Sequence, residues 1–571
     1  MDNRWILIII VILACIPIQV SAYNNIGAHP SINRYAVDYF ENNLRDLDPL
    51  LIGTTLRGQE CWGYAWDEID GRADSGPRNQ IRQSRSKLLH HWIRDGGYSA
   101  DEPEVNMGLV HFFDPMNNEQ PYLTDVAFLR KAAEIWYDFK SPYLSAVDWA
   151  FDRDGGNDYY IQDYSWNDGL RYYMAALASD SRMNPNYGQA WRAVGETMHL
   201  ISDMTIPAHV RNDGHPLSEP YEASVGAWEV THYKAGNHLG LNYDQGTLRD
   251  LMVHIATVVN KKFYSADTTP VRYVKPGSGN YYTSYSYPQP SLEGLVPDAE
   301  GYYYLDGRAL AREDMSLFQP ALEAGVLRNV YRLDEKVLND QRNVLIPTAI
   351  RASAEVLDRF LPRFVAQLSV KKFLPEDPDD DQYIVHATLK QVHIEPDSWT
   401  GYDLIVRNGA YLIETPPGGK PSEGPLSLTP LWAKVPPDPN FNDWTDLYKF
   451  KPGTTVQMKY DLGGYVLKSN EVVIPEVTPT PTTPRPKTTT TTPTPYETTG
   501  IVTHHPTSAG YVPACGPGGN CQKCCIWVNQ TNLVTGEQGY WAVRALCNCN
   551  TGEDLDPSAV DTNIWNSLPQ R

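Results

Sequence analysis

The densest run of side chains able to hold a metal lies at residues 195–222, GETMHLISDMTIPAHVRNDGHPLSEPYE. Gly195, His199 and Asp203 recur four residues apart, so one helical turn sets an imidazole and a carboxylate on the same face, close enough to share an ion. Trp191, Val194, Met198 and Ile201 form a separate apolar stripe that faces a core. Gly195 leaves room one turn before His199. Pro207 ends the helix, His209 arrives just beyond it, and His215 follows. The plainer alternative is a buried hydrogen-bonded pair, His199 with Asp203, and two loop histidines. Three imidazoles together with an Asp and several Glu in one short stretch favour metal.

The pattern H-x3-D-x3-P-x-H, with Gly four residues before the first His, resembles the signature of the bacterial zinc-dependent phospholipases C. The fungal single-strand nucleases share that fold and metal cluster. The resemblance implies ligands elsewhere, in a fixed order. Tyr23-Asn-Asn-Ile-Gly-Ala-His29 is similar to the family's mature N-terminus, where an aromatic residue, usually Trp, chelates zinc through its amino group and carbonyl. Tyr replaces Trp here, which weakens the match and leaves chelation by backbone atoms chemically possible. His29 would complete the grip; its other reading is a capping or surface residue.

Further along, Asp101 and the segment His111-Phe112-Phe113-Asp114-Pro115 resemble the family's Asp and its H-[FW]-[YWF]-D-P motif. Asp101 is preferred to Glu102 and Asp95, and Asp114 is read as fixing the turn before Pro115. The family closes its cluster with H-x3-E, often including a Tyr-Glu pair. His215 with Glu219 gives that spacing and Tyr221-Glu222 gives the pair, so both cannot match. Glu222 is preferred, because Pro220 would interrupt a helix running from His215 through Glu219. Glu229 and His232 rank below these.

The resemblance thus implies a mainly α-helical zinc-hydrolase domain with a trinuclear Zn2+ site. Asp203 would bridge two ions, and His29 with the Tyr23 backbone would hold one. His111, His199 and Asp101 would complete another, and His209, His215 and Glu222 or Glu219 the third. Zinc lowers the pKa of water from near 16 toward ~7, and Asp101 would act catalytically by orienting or deprotonating the attacking water. The implied partner is a phospholipid or other phosphodiester, with a lipid headgroup ester first and a nucleic-acid phosphodiester second. A reading of a different class makes the metal purely stabilising and gives the C-terminal modules a cell-surface or polymer contact. Against it, a structural zinc site usually needs four ligands, and more candidates than that occur here.

Positioning such a site falls to helices expected at 32–51, 122–138, 188–204, 247–263 and 345–368 within a domain spanning 23–368. Residues 265–305, rich in Tyr, Ser, Gly and Pro, read as a long loop. Its aromatic part, 281–305, could stack bases or enter a lipid interface. From 371 to 476 alternating segments, among them 383–394, 402–406 and 456–460, predict a β-rich, sandwich-like module. A Thr/Pro-rich linker at 477–500 follows. The last segment, 501–571, carries Cys515, Cys521, Cys524, Cys525, Cys547 and Cys549 and reads as a disulfide module, or, in part, a zinc knuckle. Cys61 is left as a buried free thiol.

Arg4, the apolar run 5–14 and Val20-Ser21-Ala22 read as a cleaved secretory signal over 1–22. Cleavage there frees Tyr23. The chain is therefore expected outside the cell, with association at the cell surface as the second option. A formal net charge of -21 argues against a stable nucleic-acid partner held by bulk electrostatics, although metal ions can reverse the field locally.

Overall fold

In a computed structural model of the chain, the residues described are 27–65, 83–102, 107–126, 144–151, 163–214, 219–226, 230, 237–244, 246–274, 281–313, 330–373, 381–425 and 441–475, with backbone strands at 510–511, 525–531 and 538–545. The expected signal at 1–22, Tyr23, the linker and the disulfide pairing of the C-terminal cysteines lie outside the described residues, as do His215, Glu229 and His232. No described helix is long and apolar enough to cross a membrane.

Among the described residues, eight α-helices order the first part of the chain: α1 Ala28–Tyr39, α2 Leu89–Ser99, α3 Ala146–Phe151, α4 Trp166–Leu177, α5 Asn186–Asp203, α6 Pro220–Gly226, α7 Leu248–Lys262 and α8 Glu335–Phe360. Their starts are written locally. Ser165 and Thr247 cap α4 and α7 in boxes closed by Asp168 and Asp250, and Asp334 caps α8. Helix α5 lies at the centre, packed on α1, α2, α4 and α8. Every residue from Tyr187 to Asp203 is buried, so its polar side chains must be satisfied from within. Gln189 Nε2 donates to the Tyr164 hydroxyl (2.8 Å), Arg192 Nε to Ser99 Oγ (3.0 Å), and Ser99 Oγ to Glu196 Oε1 (2.7 Å).

Helices α2 and α5 cross at glycines. A Cβ on Gly195 would lie 2.1 Å from the Ile93 carbonyl oxygen, and one on Gly96 would lie 2.3 Å from that of Arg192. Asn33 of α1 pins the crossing, its Nδ2 donating to Ile93 O (3.0 Å) and Gly195 O (2.9 Å). Gly195 therefore serves helix contact rather than leaving space beside the histidines.

Strands β1 Glu60–Ala65 and β2 Gln83–Leu88 form a hairpin ahead of α2. The stretch expected as a loop at 265–305 contains β3 Val271–Val274 paired with β4 Tyr281–Ser284, then β5 Tyr302–Leu305, which pairs with β6 Arg308–Glu313 and through it with β7 Tyr331–Arg332. Tyrosines favour strands when their ring packs and their hydroxyl finds an acceptor. Tyr302 donates to Asp334 (2.7 Å), Tyr303 to Glu313 (2.7 Å) and Tyr304 to Asp298 (2.8 Å).

Helix α8 runs from Glu335 to Phe360, not across 345–368 as its apolar pattern suggests. Pro362, which lacks an amide donor, follows closely. Strand β8 Arg363–Lys372 begins there and joins an antiparallel sheet ordered β12-β9-β8, with β9 Gln382–Val392 and β12 Phe441–Lys449. A second antiparallel sheet, β11-β10-β13-β14, comprises β10 Ala410–Thr415, β11 Ser422–Pro425, β13 Thr455–Asp461 and β14 Val466–Val473. Asn470 links the sheets by bonding both the amide (2.9 Å) and the carbonyl (3.0 Å) of Leu368. Residues 402–406 form no strand. Their neighbourhood is bonded elsewhere, Leu404 N to Gln391 Oε1 (2.8 Å) and Arg407 N to Leu177 O at the end of α4 (2.9 Å). At 122–126 the expected helix is absent, the amide of Thr124 being held by Asn212 Oδ1 (2.7 Å). The rest of that expectation, 127–138, lies outside the described residues. Cys61 is buried and free, and no disulfide occurs among the described residues.

The β region and the helices share one apolar interior. The turn after β13 wedges against α5: Tyr173 donates to Leu462 O (2.6 Å) and Trp191 Nε1 to Gly463 O (2.7 Å). Gly463 has φ +73°, and a Cβ there would lie 1.8 Å from the Tyr187 ring. Gly195→Ala is expected to destabilise the protein by about 3 kcal/mol, because the new methyl meets the α2 backbone at Ile93 and Gly96. Urea unfolding checks this, and a change within experimental error would mean that the crossing relaxes freely.

Candidate metal centre

Seven ionisable side chains from six parts of the chain meet in the helical region, none more than 1% exposed. His29 is on the first turn of α1, and Asp101 lies just past the end of α2. His111 closes the short turn Gly108–Val110, while α5 supplies His199 and Asp203. His209 follows Pro207, and Glu222 is on the first turn of α6.

Asp203 is the hub. Its Oδ1 lies 3.4 Å from His29 Nε2 and 3.6 Å from His209 Nδ1. Its Oδ2 lies 3.2 Å from His111 Nδ1 and 3.5 Å from His199 Nε2. Asp101 sits beside the second pair, Oδ1 3.1 Å from His111 Nδ1 and Oδ2 3.6 Å from His199 Nε2. Glu222 Oε1 is 2.8 Å from His209 Nε2. The rings of His29 and His199 stack, with centroids 3.6 Å apart. Phe112 covers His209 at 4.5 Å.

These residues fit a metal. Both oxygens of Asp203 are buried, and among the described residues only imidazole nitrogens at 3.2–3.6 Å approach them, a costly state for a carboxylate that a divalent cation would relieve. Two overlapping groups, His29 with Asp101 and His199, and His111 with His199 and Asp203, bring their ligand atoms within 4.8 Å of one another. Imidazole nitrogen and carboxylate oxygen are donors that zinc accepts readily.

Electrostatics follow from the same crowding. Burial, then the nearby charge of His199, His111 and His209, holds His29 well below the usual imidazole range. Burial pushes Asp101 up, but His199 and His111 outweigh it and keep the carboxyl below its ordinary value. Burial opposes a charge on His111, yet Asp101 and Asp203 prevail and raise it to about 10.

Of the residues singled out in the sequence, His29, Asp101, His111, His199, Asp203, His209 and Glu222 come together, while Tyr23 and His215 lie outside the described residues. Glu219 Oε2 accepts the amide of Glu222 (2.9 Å) at the start of α6, and its Oε1 is buried. Asp95 faces Lys87 (2.7 Å) and Arg94 (2.9 Å). Asp114 holds its turn through the Met116 amide (2.9 Å) and receives the Tyr287 hydroxyl (2.9 Å). Two further groups touch the histidines and carry no sequence signal as ligands. The Gly97 carbonyl is 2.8 Å from His199 Nδ1, and Ser202 Oγ is 2.8 Å from His29 Nδ1. Ser202 could have been noticed only as the helical neighbour of His199 three residues on.

No family model matches the chain, and no curated protein matches it. Among solved structures, it is similar to the Clostridium perfringens alpha-toxin from avian strain SWCP at 12% identity and a TM-score of 0.27, covering 80% of this chain and 96% of that one. It is also similar to the alpha toxin of Clostridium absonum at 12% identity and a TM-score of 0.26, covering 80% and 98%. Likeness at this level carries no assignment.

In metal-free protein the His111 proton contributes stability that is complete below the unfolded value of 6.5 and is lost as pH rises through about 10. Chelator-treated protein should therefore lose stability in denaturant titrations between about pH 7 and about pH 10, and His111→Gln should flatten that slope. An identical slope in the variant would remove His111 as its source.

Proposed function

We propose that this chain is a secreted zinc-dependent phosphodiester hydrolase of the phospholipase C kind, acting on the headgroup ester of a phospholipid. The observation that carries this reading is the convergence of four imidazoles on the two oxygens of buried Asp203. In that position Asp203 would bridge, with His29 and His209 toward one oxygen and His111 and His199 toward the other. Glu222, against His209, would supply the last carboxylate. Tyr23 and His215 complete the ligand set in this reading. Zinc bound there would supply Lewis acidity toward the phosphoryl oxygens and an acidified water near neutral pH.

The chain's own residues do the rest. Asp101, ionised because His199 and His111 outweigh its burial, would accept the proton of the attacking water at a carboxylate oxygen. Full burial of the side chains limits their reorientation, so donors and charges are already placed when the phosphorus passes through its five-coordinate stage. Ions there would leave the cluster net positive and attract an anionic ester despite the acidic protein.

A nucleic-acid substrate is the weaker reading. The formal net charge of -21 gives a long polyanion no bulk attraction. The C-terminal modules are assigned a surface or polymer contact.

Elemental analysis of the secreted protein should find close to three zincs per chain, falling in His199→Ala. Hydrolysis of phosphatidylcholine should drop in that variant by more than the roughly 100-fold typical of changes outside the ligand shell, with the fold retained by circular dichroism. Hydrolysis confined to single-stranded DNA would transfer the assignment to a nuclease. Unchanged hydrolysis in His199→Ala would sink the metal mechanism. A mature start other than Tyr23 on N-terminal sequencing would remove the backbone chelate.

A further inference from the structure

Imidazole binds metal through a nitrogen lone pair, so each ligand histidine must carry its proton on the other nitrogen. For His199 the partner is evident: Nδ1 lies 2.8 Å from the Gly97 carbonyl, which can only accept, leaving the Nε2 lone pair toward Asp101 and Asp203. His29 faces a hydroxyl instead, which in principle can donate or accept. Its Nδ1 lies 2.8 Å from Ser202 Oγ, and its Nε2 lies 3.4 Å from Asp203 Oδ1.

The ambiguity is removed by the helix. Ser202 Oγ donates its one proton to the carbonyl of His199, 2.7 Å away and one turn back on α5. With that proton committed, the hydroxyl presents only lone pairs to His29. We infer that Ser202 is a positioning residue that sets the tautomer of His29, holding the proton on Nδ1 and turning the Nε2 lone pair toward Asp203 and the ion His29 would hold. The inference deepens the zinc reading and rests on it for its effect on binding. In metal-free protein Asp203 Oδ1, 3.4 Å from Nε2, competes for the same proton, so the Nδ1–H form there means that Ser202 prevails over the carboxylate.

The arrangement is built from local and long-range parts. Ser202 stands between the two ligands of α5, and its rotamer is set by the helix's own backbone. Helix α1 then brings His29 to a hydroxyl already oriented. Both groups are fully buried, so water does not compete for either side of the bond. Helix α5 thus carries two of the proposed ligands and also orients a third that is remote in sequence.

The test combines a spectrum with a titration. Long-range 1H–15N correlation spectra of metal-free protein should show His29 as the Nδ1–H tautomer in the wild type and as the Nε2–H form or a mixture in Ser202→Ala. In chelator-competition titrations, Ser202→Ala should weaken one zinc by about 10- to 100-fold and leave the others unchanged. Wild-type His29 found as the Nε2–H tautomer overturns the inference whether or not the variant folds. A folded Ser202→Ala with wild-type zinc affinity and an unaltered His29 spectrum overturns it equally. If the wild type takes up no zinc, the hydrolase reading fails, and the tautomer spectrum still decides the role of Ser202.

Discussion

A carboxylate placed in a protein interior loses the hydration that made its charge tolerable, and Asp203 is placed there with only imidazoles beside its oxygens among the described residues. The effective penalty is several kcal/mol unless opposite charge is supplied. Four imidazoles at 3.2–3.6 Å are what the chain offers. They come from α1, the turn before His111, α5 and the segment after Pro207. The starts of α1 and α6 and the ends of α2 and α5 each deliver a candidate ligand to this one point.

That delivery depends on α5 being enclosed on all sides. Toward α2 the enclosure is backbone against backbone at Gly96 and Gly195, and the closeness brings the Gly97 carbonyl within reach of His199. On its apolar side the helix is held by the turn after β13, where Trp191 donates to Gly463. The β region is therefore part of the support of the centre, although none of its described residues enters it. Aromatic packing of Tyr173, Trp191, Phe360 and Trp399 fills the junction. Movement of α5 would disturb both faces together, since packed interiors shift in discrete steps.

Several elements departed from their sequence pattern for reasons that lie outside the local window. Apolar spacing alone carries α8 past Phe360, but Leu361, ahead of Pro362, turns extended (ψ 120°) and the following residues pair as β8. A tyrosine-rich stretch resembling a long loop became short strands once Asp298, Glu313 and Asp334 offered acceptors to its hydroxyls. Alternation at 402–406 suggested a strand, yet strand formation needs a neighbour with free backbone groups. There Gln391 and the end of α4 took the amides instead.

The sequence by itself determined which residue types could serve and where the helix bearing His199 and Asp203 would run, because helical spacing and the stop at Pro207 are local properties. It also separated the helical region from the β strands, since periods of 3.6 and 2 are read over short windows. Only the tertiary structure set Glu222 against His209 and turned Asp101 rather than Asp95 toward the cluster. Both choices depend on which neighbours each carboxylate meets after the helices pack. The same is true of Ser202 and the Gly97 carbonyl, whose roles exist only because α1 and α2 close on α5. A hydroxyl or a backbone oxygen has no identity as an orienting group until a remote imidazole is placed against it.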